Sequence, residues 1–274
     1  MVIRRFLACL FLVLGFSAAN AQTYTVLHAT GRCKLIDSGA PIEAGQVLKA
    51  TDMIDLGNRY GHIVVWGGPL NLKSLRAVEK PGNNWKIAGT ILDLKAAPIV
   101  AKPEAYKEHF GSMTDLIAHF DGRRYLLLDK SWLIADPGFR LKGDTVLFYK
   151  FESPLANIQV NRKVEHRHDS LLLEPKFILD MNGKPVPPDD ATNFELYWLD
   201  LKTKGYKKMA RFNFIFVDEK VLLDEVGRLV KLVQSADKEA DVRKEVTRFL
   251  IETYGVPDPH NFQKWMGQHF PQVK

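Results

Sequence analysis

FELYWLDL, residues 194–201, decides how the larger part of this chain is read. Strand alternation sends Phe194, Leu196 and Trp198 to one side and Tyr197, Leu199 and Leu201 to the other. Apolar residues on both sides predict a central strand covered on both faces. Six further stretches read as strands around it: RYLLLD (124–129), SWLIAD (131–136), DTVLFYKFE (144–152), ANIQVNRKV (156–164), SLLLEPKFIL (170–179) and KMARFNFIFVD (208–218). Short connections between them predict antiparallel neighbours. Asn182-Gly183 is a hairpin signal, because both central positions of a type I′ turn need positive φ.

The cover for this sheet is expected from the C-terminus. Leu222, Val226, Leu229, Val230 and Val233 fall on one helical stripe, and Val242, Val246, Phe249, Leu250 and Thr253 on a second, with Gly255 as its C′ residue. Asp258 before Pro259 reads as the N-cap of a last helix that turns Phe262, Trp265 and Met266 inward. Upstream, Tyr106, Phe110, Met113, Ile117 and Phe120 predict one amphipathic helix running through Gly111. Residues 104–274 are therefore expected to form an α+β domain, an antiparallel sheet covered by C-terminal helices.

Before it, residues 22–80 break into short apolar pieces between Gly, Pro, Asn and Asp, the pattern of a small all-β barrel or sandwich. Residues 81–103, with Pro98 and Pro103 amid small residues, read as a linker or strap. Within ATGRCKLIDSGAPIEAGQVLKATDMIDLG (29–57), a strand and a turn precede Gly45-Gln-Val-Leu48 and Thr51-Asp52-Met53-Ile54. This order of strand, turn, GxxL and xDxI resembles the FecR-like, SH3-like β-modules of bacterial envelope proteins. The resemblance implies a barrel-like module and an envelope setting.

Residues 1–21 point the same way. Arg4 and Arg5 precede a short apolar run, and Ala19-Asn20-Ala21 has the form of a cleavage site, so a signal peptide and a periplasmic or extracellular address are expected. Apolar runs elsewhere are too short for a transmembrane segment. The chain has 38 basic and 32 acidic side chains, and loss of Arg4 and Arg5 with the signal leaves a net charge of +4. That mild excess suits an anionic surface polymer and falls short of a nucleic-acid-binding face. Of the two cysteines, Cys9 leaves with the signal, so Cys33 has no partner for an intramolecular disulfide.

Candidate chemistry is sparse. His166, His168 and Asp169 in VEHRHDS could hold a zinc ion and serve a metal-dependent hydrolase, but their polar setting between two strands also fits a hairpin tip. Cys33 could act as a nucleophile served by His28 or His62, or sit as a small buried hydrophobe. Asp189-Asp190 reads as a solvated loop. Asp180 opens no calcium loop, since Ala191 stands where the twelfth-position Glu belongs. Lys202, Lys204, Lys207 and Lys208 crowd the turn around Gly205, either as sheet-edge protection or as a basic knob for an anionic partner. Trp66 and Trp85 are candidate binding aromatics. G-x-S-x-G, H-E-x-x-H, Walker A and C-x-x-C motifs are absent from the sequence. The expectation is a non-catalytic, cofactor-free binding protein that engages an envelope protein or anionic surface polymer.

Overall fold

The computed structural model describes residues 22–67, 72–91, 94, 97–98, 109–136, 144–167, 170–181 and 183–273. The chain is mostly β, 42% strand and 25% helix, arranged as several sheets followed by C-terminal helices. It divides into two compact units, Met1–Ile99 with Lys231–Lys238, and Val100–Val230 with Glu239–Lys274. The expected signal peptide lies outside the described residues.

The first unit holds β1 (Thr23–Thr30), β2 (Lys34–Leu35), β3 (Val47–Lys49), β4 (Ile54–Asp55), β5 (His62–Gly67), β6 (Leu72–Arg76), β7 (Val78–Lys80), β8 (Asn84–Lys86), β9 (Ala88–Gly89) and β10 (Ala97–Pro98). One antiparallel sheet has the order β10-β6-β5-β1-β3 and a second the order β2-β4-β9, with β7 and β8 as a separate hairpin. Among the described residues no sheet closes into a barrel. The stretch read as a linker belongs to this unit: β9 pairs with β4, β10 pairs with β6, and Ile91 and Leu94 are buried in the core with Tyr24, Leu48 and Ile63. Pro81 and Gly82 mark the turn of the β7–β8 hairpin, and isolated apolar residues such as Ile91 and Leu94 supply the anchor that composition alone conceals.

The second unit contains β11 (His109–Phe110), α1 (Met113–Phe120), β12 (Arg124–Leu127), β13 (Ser131–Ala135), β14 (Thr145–Ser153), β15 (Ile158–Lys163), β16 (Glu165–Arg167), β17 (Ser170–Leu173), α2 (Pro175–Ile178), β18 (Asp180–Met181), β19 (Lys184–Pro185), a 3-10 turn (Pro188–Asp190), β20 (Thr192–Asp200), β21 (Tyr206–Phe216), α3 (Glu219–Ala236, whose residues from Lys231 on belong to the first unit), α4 (Val242–Thr253), β22 (Val256–Pro257) and α5 (Pro259–His269). The six-stranded sheet runs β15-β14-β20-β21-β12-β22, and the four-stranded sheet β11-β13-β17-β16. FELYWLDL is interior to its sheet, flanked by β14 and β21. The sheets are mixed rather than antiparallel: β12 runs parallel to β21 and β22, and β11 parallel to β13. Parallel partners need long intervening chain, and β12 is separated from β21 by most of the unit's strands.

Phe194, Leu196, Phe212 and Phe214 enter a core shared with Leu133 and Leu171 of the four-stranded sheet and Leu116 and Phe120 of α1. The opposite face of β20 is not closed as expected, since Glu195, Tyr197 and Leu199 are half-buried. The C-terminal helices instead fasten to β12 and to β13 of the four-stranded sheet. The Arg124 guanidinium donates to the Thr253 carbonyl at 3.2 Å, and Asn261 of α5 exchanges two hydrogen bonds with the Trp132 backbone. The helix predicted through Gly111 begins after it. Ser112 caps α1 by accepting from the Asp115 amide, and Phe110 is in a strand. Tyr106 lies outside the described residues. No helix among the described residues is long and apolar enough to cross a membrane.

His119, in the last turn of α1, packs on Phe120 and Tyr125, and its Nε2 lies 3.1 Å from the Tyr125 hydroxyl. Burial, with the charge of Arg123 second, lowers its pKa to about 4. The unfolded chain therefore takes up this proton near pH 6.5 while the folded chain does not. Its contribution to stability is fully present above that pH and is lost on acidification toward pH 4, a change on the order of 3 kcal/mol. Chemical denaturation of the wild type and His119→Gln between pH 7 and 4 should show a flatter pH profile in the variant.

Candidate functional site

The β20–β21 hairpin projects its turn beyond the sheet, and its conformation is set locally. The Asp200 amide donates to the Gly205 carbonyl, and the Asp200 carboxylate accepts from the amides of Lys202 and Thr203 at 2.8 and 3.1 Å. These bonds, Thr203 first, hold the Asp200 pKa below its ordinary value. Lys204 sits at φ 55, a left-handed position that the turn imposes on a non-glycine residue.

The four lysines are not one uniform basic knob. Lys202 pairs with Asp144 at 2.5 Å, and Lys208 with Glu195 at 3.2 Å. The hydrogen bond from Tyr197, followed by that from Lys208, lowers the Glu195 pKa. Lys204 and Lys207 are exposed and have no carboxylate partner among the described residues. On the outward face, the rings of Phe148 and Tyr197 stack at 5.1 Å and 11°. Rings this close cover each other's faces and turn their edges to solvent, so they reinforce the strand pairing and form no flat platform for a ligand ring.

The inward face at the same end is open. A cleft of about 580 Å³ lies between α1 and the hairpin. Met113, Thr114 and Ile117 form one wall, Trp198 and Met209 form the other, and Tyr206 and Lys207 stand at the hairpin side. Met113, Trp198 and Met209 also rest on the core, so the apolar wall is held from behind. The size falls within the range of small-molecule sites, about 300–1,000 Å³. Lys207 pairs across the hairpin with Trp198, which places an ammonium group beside the apolar wall.

The remaining candidates are dispersed. Trp66 is 5% exposed within the wholly buried β5, and is interior rather than a surface anchor. Trp85 is 39% exposed on the β7–β8 hairpin. His166 is exposed on β16, which forms a hairpin with β17 that sets Arg167 opposite Ser170; His168 and Asp169 lie outside the described residues. Among the described residues, no three His, Cys, Asp or Glu side chains are grouped to hold a metal.

Cys33 is buried, with its thiol 3.0 Å from the Thr30 carbonyl. Burial pushes its pKa up to about 11, against the opposing pull of the His62 backbone amide, so the thiol stays protonated at neutral pH and is a poor nucleophile. The His62 ring instead meets Ser74 at 3.0 Å. Asp190 is also buried rather than solvated, accepting from the Ser153 hydroxyl and the Leu155 amide, which ties down the β14–β15 turn. Asp180 accepts from the Gly183 amide, as expected of a turn.

Sequence reasoning found the lysines but missed the apolar wall. Met113 and Ile117 were assigned to a core-facing helical stripe and Trp198 to a covered strand. The available signal was the hairpin register, which sets Trp198 opposite Lys207 near the open end. Comparison of this chain with protein-family models, curated proteins and solved structures finds no match, so the reading of its function rests on this geometry.

Proposed function

We propose that this is an exported, non-catalytic binding protein of a bacterial cell envelope, periplasmic or extracellular, that engages a protein or an anionic surface polymer through the cleft and hairpin of its second unit. The observation that carries the reading is the juxtaposition of an open apolar wall, Met113, Ile117, Trp198 and Met209, with the exposed ammonium of Lys207. A concave apolar surface with a few placed polar groups is the usual form of a binding site. The first 21 residues support export, and the small antiparallel sheets of the first unit fit a FecR-like, SH3-like module.

Immobilised full-length protein should retain a component of envelope extract. Trp198→Ala and Lys207→Glu should each weaken that retention by about 10- to 30-fold, the effect of removing a central anchor. Tyr60→Ala, at an exposed aromatic of the first unit, serves as the control. Equal retention by Trp198→Ala and wild type would remove the cleft from the reading.

A further inference from the structure

We infer that the cleft takes an anionic lipid, its acyl chain against the Met113, Ile117, Trp198 and Met209 wall and its headgroup phosphate on Lys204 and Lys207. This inference rests on the cleft-and-hairpin site of the binding reading above and adds a lipid to the protein or polymer named there.

Three features select that chemistry. First, Lys207 at the cleft and Lys204 on the adjoining turn form no ion pair among the described residues, the Asp200 carboxylate that also lines the cleft is held by the amides of Lys202 and Thr203, and Lys202 adds a third cation whose bond to Asp144 is a surface ion pair, 76% and 42% exposed. Such pairs are weak and exchange readily for a phosphate. Secondly, Leu201 and Tyr206 stand 51% and 71% exposed at the same turn. Exposed apolar and aromatic side chains among lysines are the composition of a surface that rests at a lipid headgroup boundary.

Thirdly, the turn has little backbone to offer a peptide. The amides of residues 200 to 203 and of Gly205 are already bonded within the unit, and β20 is flanked on both sides by other strands, while β12 covers the outer edge of β21 only over Asn213–Phe216. Strand addition is therefore closed along β20, and the turn itself offers a peptide few amides. A ligand with an anionic head and a chain that needs no hydrogen bonds matches what remains, and the unbranched methionine side chains adapt to such a chain.

Co-sedimentation of the full chain with vesicles tests this. Vesicles of phosphatidylcholine mixed with phosphatidylglycerol should bind at least about tenfold more protein than phosphatidylcholine alone, and a Lys204→Glu/Lys207→Glu variant should lose that preference. Anionic vesicles carrying brominated acyl chains should quench tryptophan fluorescence in the wild type, and Trp198→Phe should remove most of the quenching. Both substituted lysines are exposed, so circular dichroism should show an unchanged fold. Equal binding to neutral and anionic vesicles, indifference to the charge reversal, or absence of quenching would each overturn the inference. If vesicles fail while Trp198→Ala still weakens retention of an envelope component, the ligand is of another class and the binding reading stands. If both fail, both fall.

Discussion

Phe194→Ala should lower the free energy of unfolding of the second unit by about 3–5 kcal/mol, the upper range for truncating a buried aromatic. Phe194 is wholly buried, and its ring lies 4.7 Å from Phe151, 5.0 Å from Phe214, 5.9 Å from Phe212 and 6.3 Å from Phe216. These partners sit on β14 and β21, the two strands that flank β20. Losing the ring removes its burial and also opens a space that surrounding aromatics, fixed on the two flanking strands, fill only in part. Domains are stable by about 5–15 kcal/mol, so the variant should approach the threshold of folding. Phe194→Leu, which keeps most of the volume, should cost less than about half as much. Urea titration followed by far-ultraviolet circular dichroism measures both. A loss below about 1 kcal/mol for the alanine variant would mean that the aromatic cluster is not the centre of this core.

Gly61→Ala should disrupt the first unit by more than about 3 kcal/mol, beyond the ordinary range for overpacking, because the obstruction is backbone. A Cβ at residue 61 would lie 1.9 Å from the Leu56 carbonyl oxygen and 2.8 Å from its carbon. No side-chain rotation relieves that contact; the turn between β4 and β5 must move. Leu56 and Ile54 are fully buried in the first core, so displacing the turn pulls both out of place. The Gly61 amide also donates to the Asn58 carbonyl at 3.0 Å, which holds the two sides of the turn together. Gly39→Ala is the informative control: it meets nothing within 4 Å, so its cost reflects only its left-handed φ of 68. Differential scanning calorimetry should show the large loss at residue 61 and a modest one at residue 39. Equal, small shifts would show that the turn relaxes freely and that the close approach carries no stability.

The contrast between these residues marks how far the site was legible. Phe194 announces itself by alternation, and so do Leu196 on the same side and the stripe of Leu222, Val226 and Leu229 in α3, all buried in the structure. The lysines around Gly205 were visible as a charged turn. Their inequality was not: Asp144, more than fifty residues upstream, neutralises Lys202, and Glu195 across the hairpin neutralises Lys208. Trp66 and Trp198 look alike as tryptophans in apolar strands. One is enclosed by its strand's neighbours and the other, near the end of β20, borders the cleft between α1 and the hairpin.

By itself the sequence determined the short-range features: the alternation that makes FELYWLDL an interior strand, the Asp258-Pro259 helix start, the turns at Gly183 and Gly205, and the apolar stripes of the C-terminal helices. Each depends on residues within a few positions of one another, where sterics and hydrogen bonding act directly. The tertiary structure decided the parallel pairing of β12 with β21, the inclusion of residues 81–98 in the first unit, the partly open outer face of β20, and the meeting of Met113 and Ile117 with Trp198 and Lys207. Those outcomes depend on which distant surfaces bury one another, and burial is non-directional, so local pattern supplies the apolar surface without naming its partner.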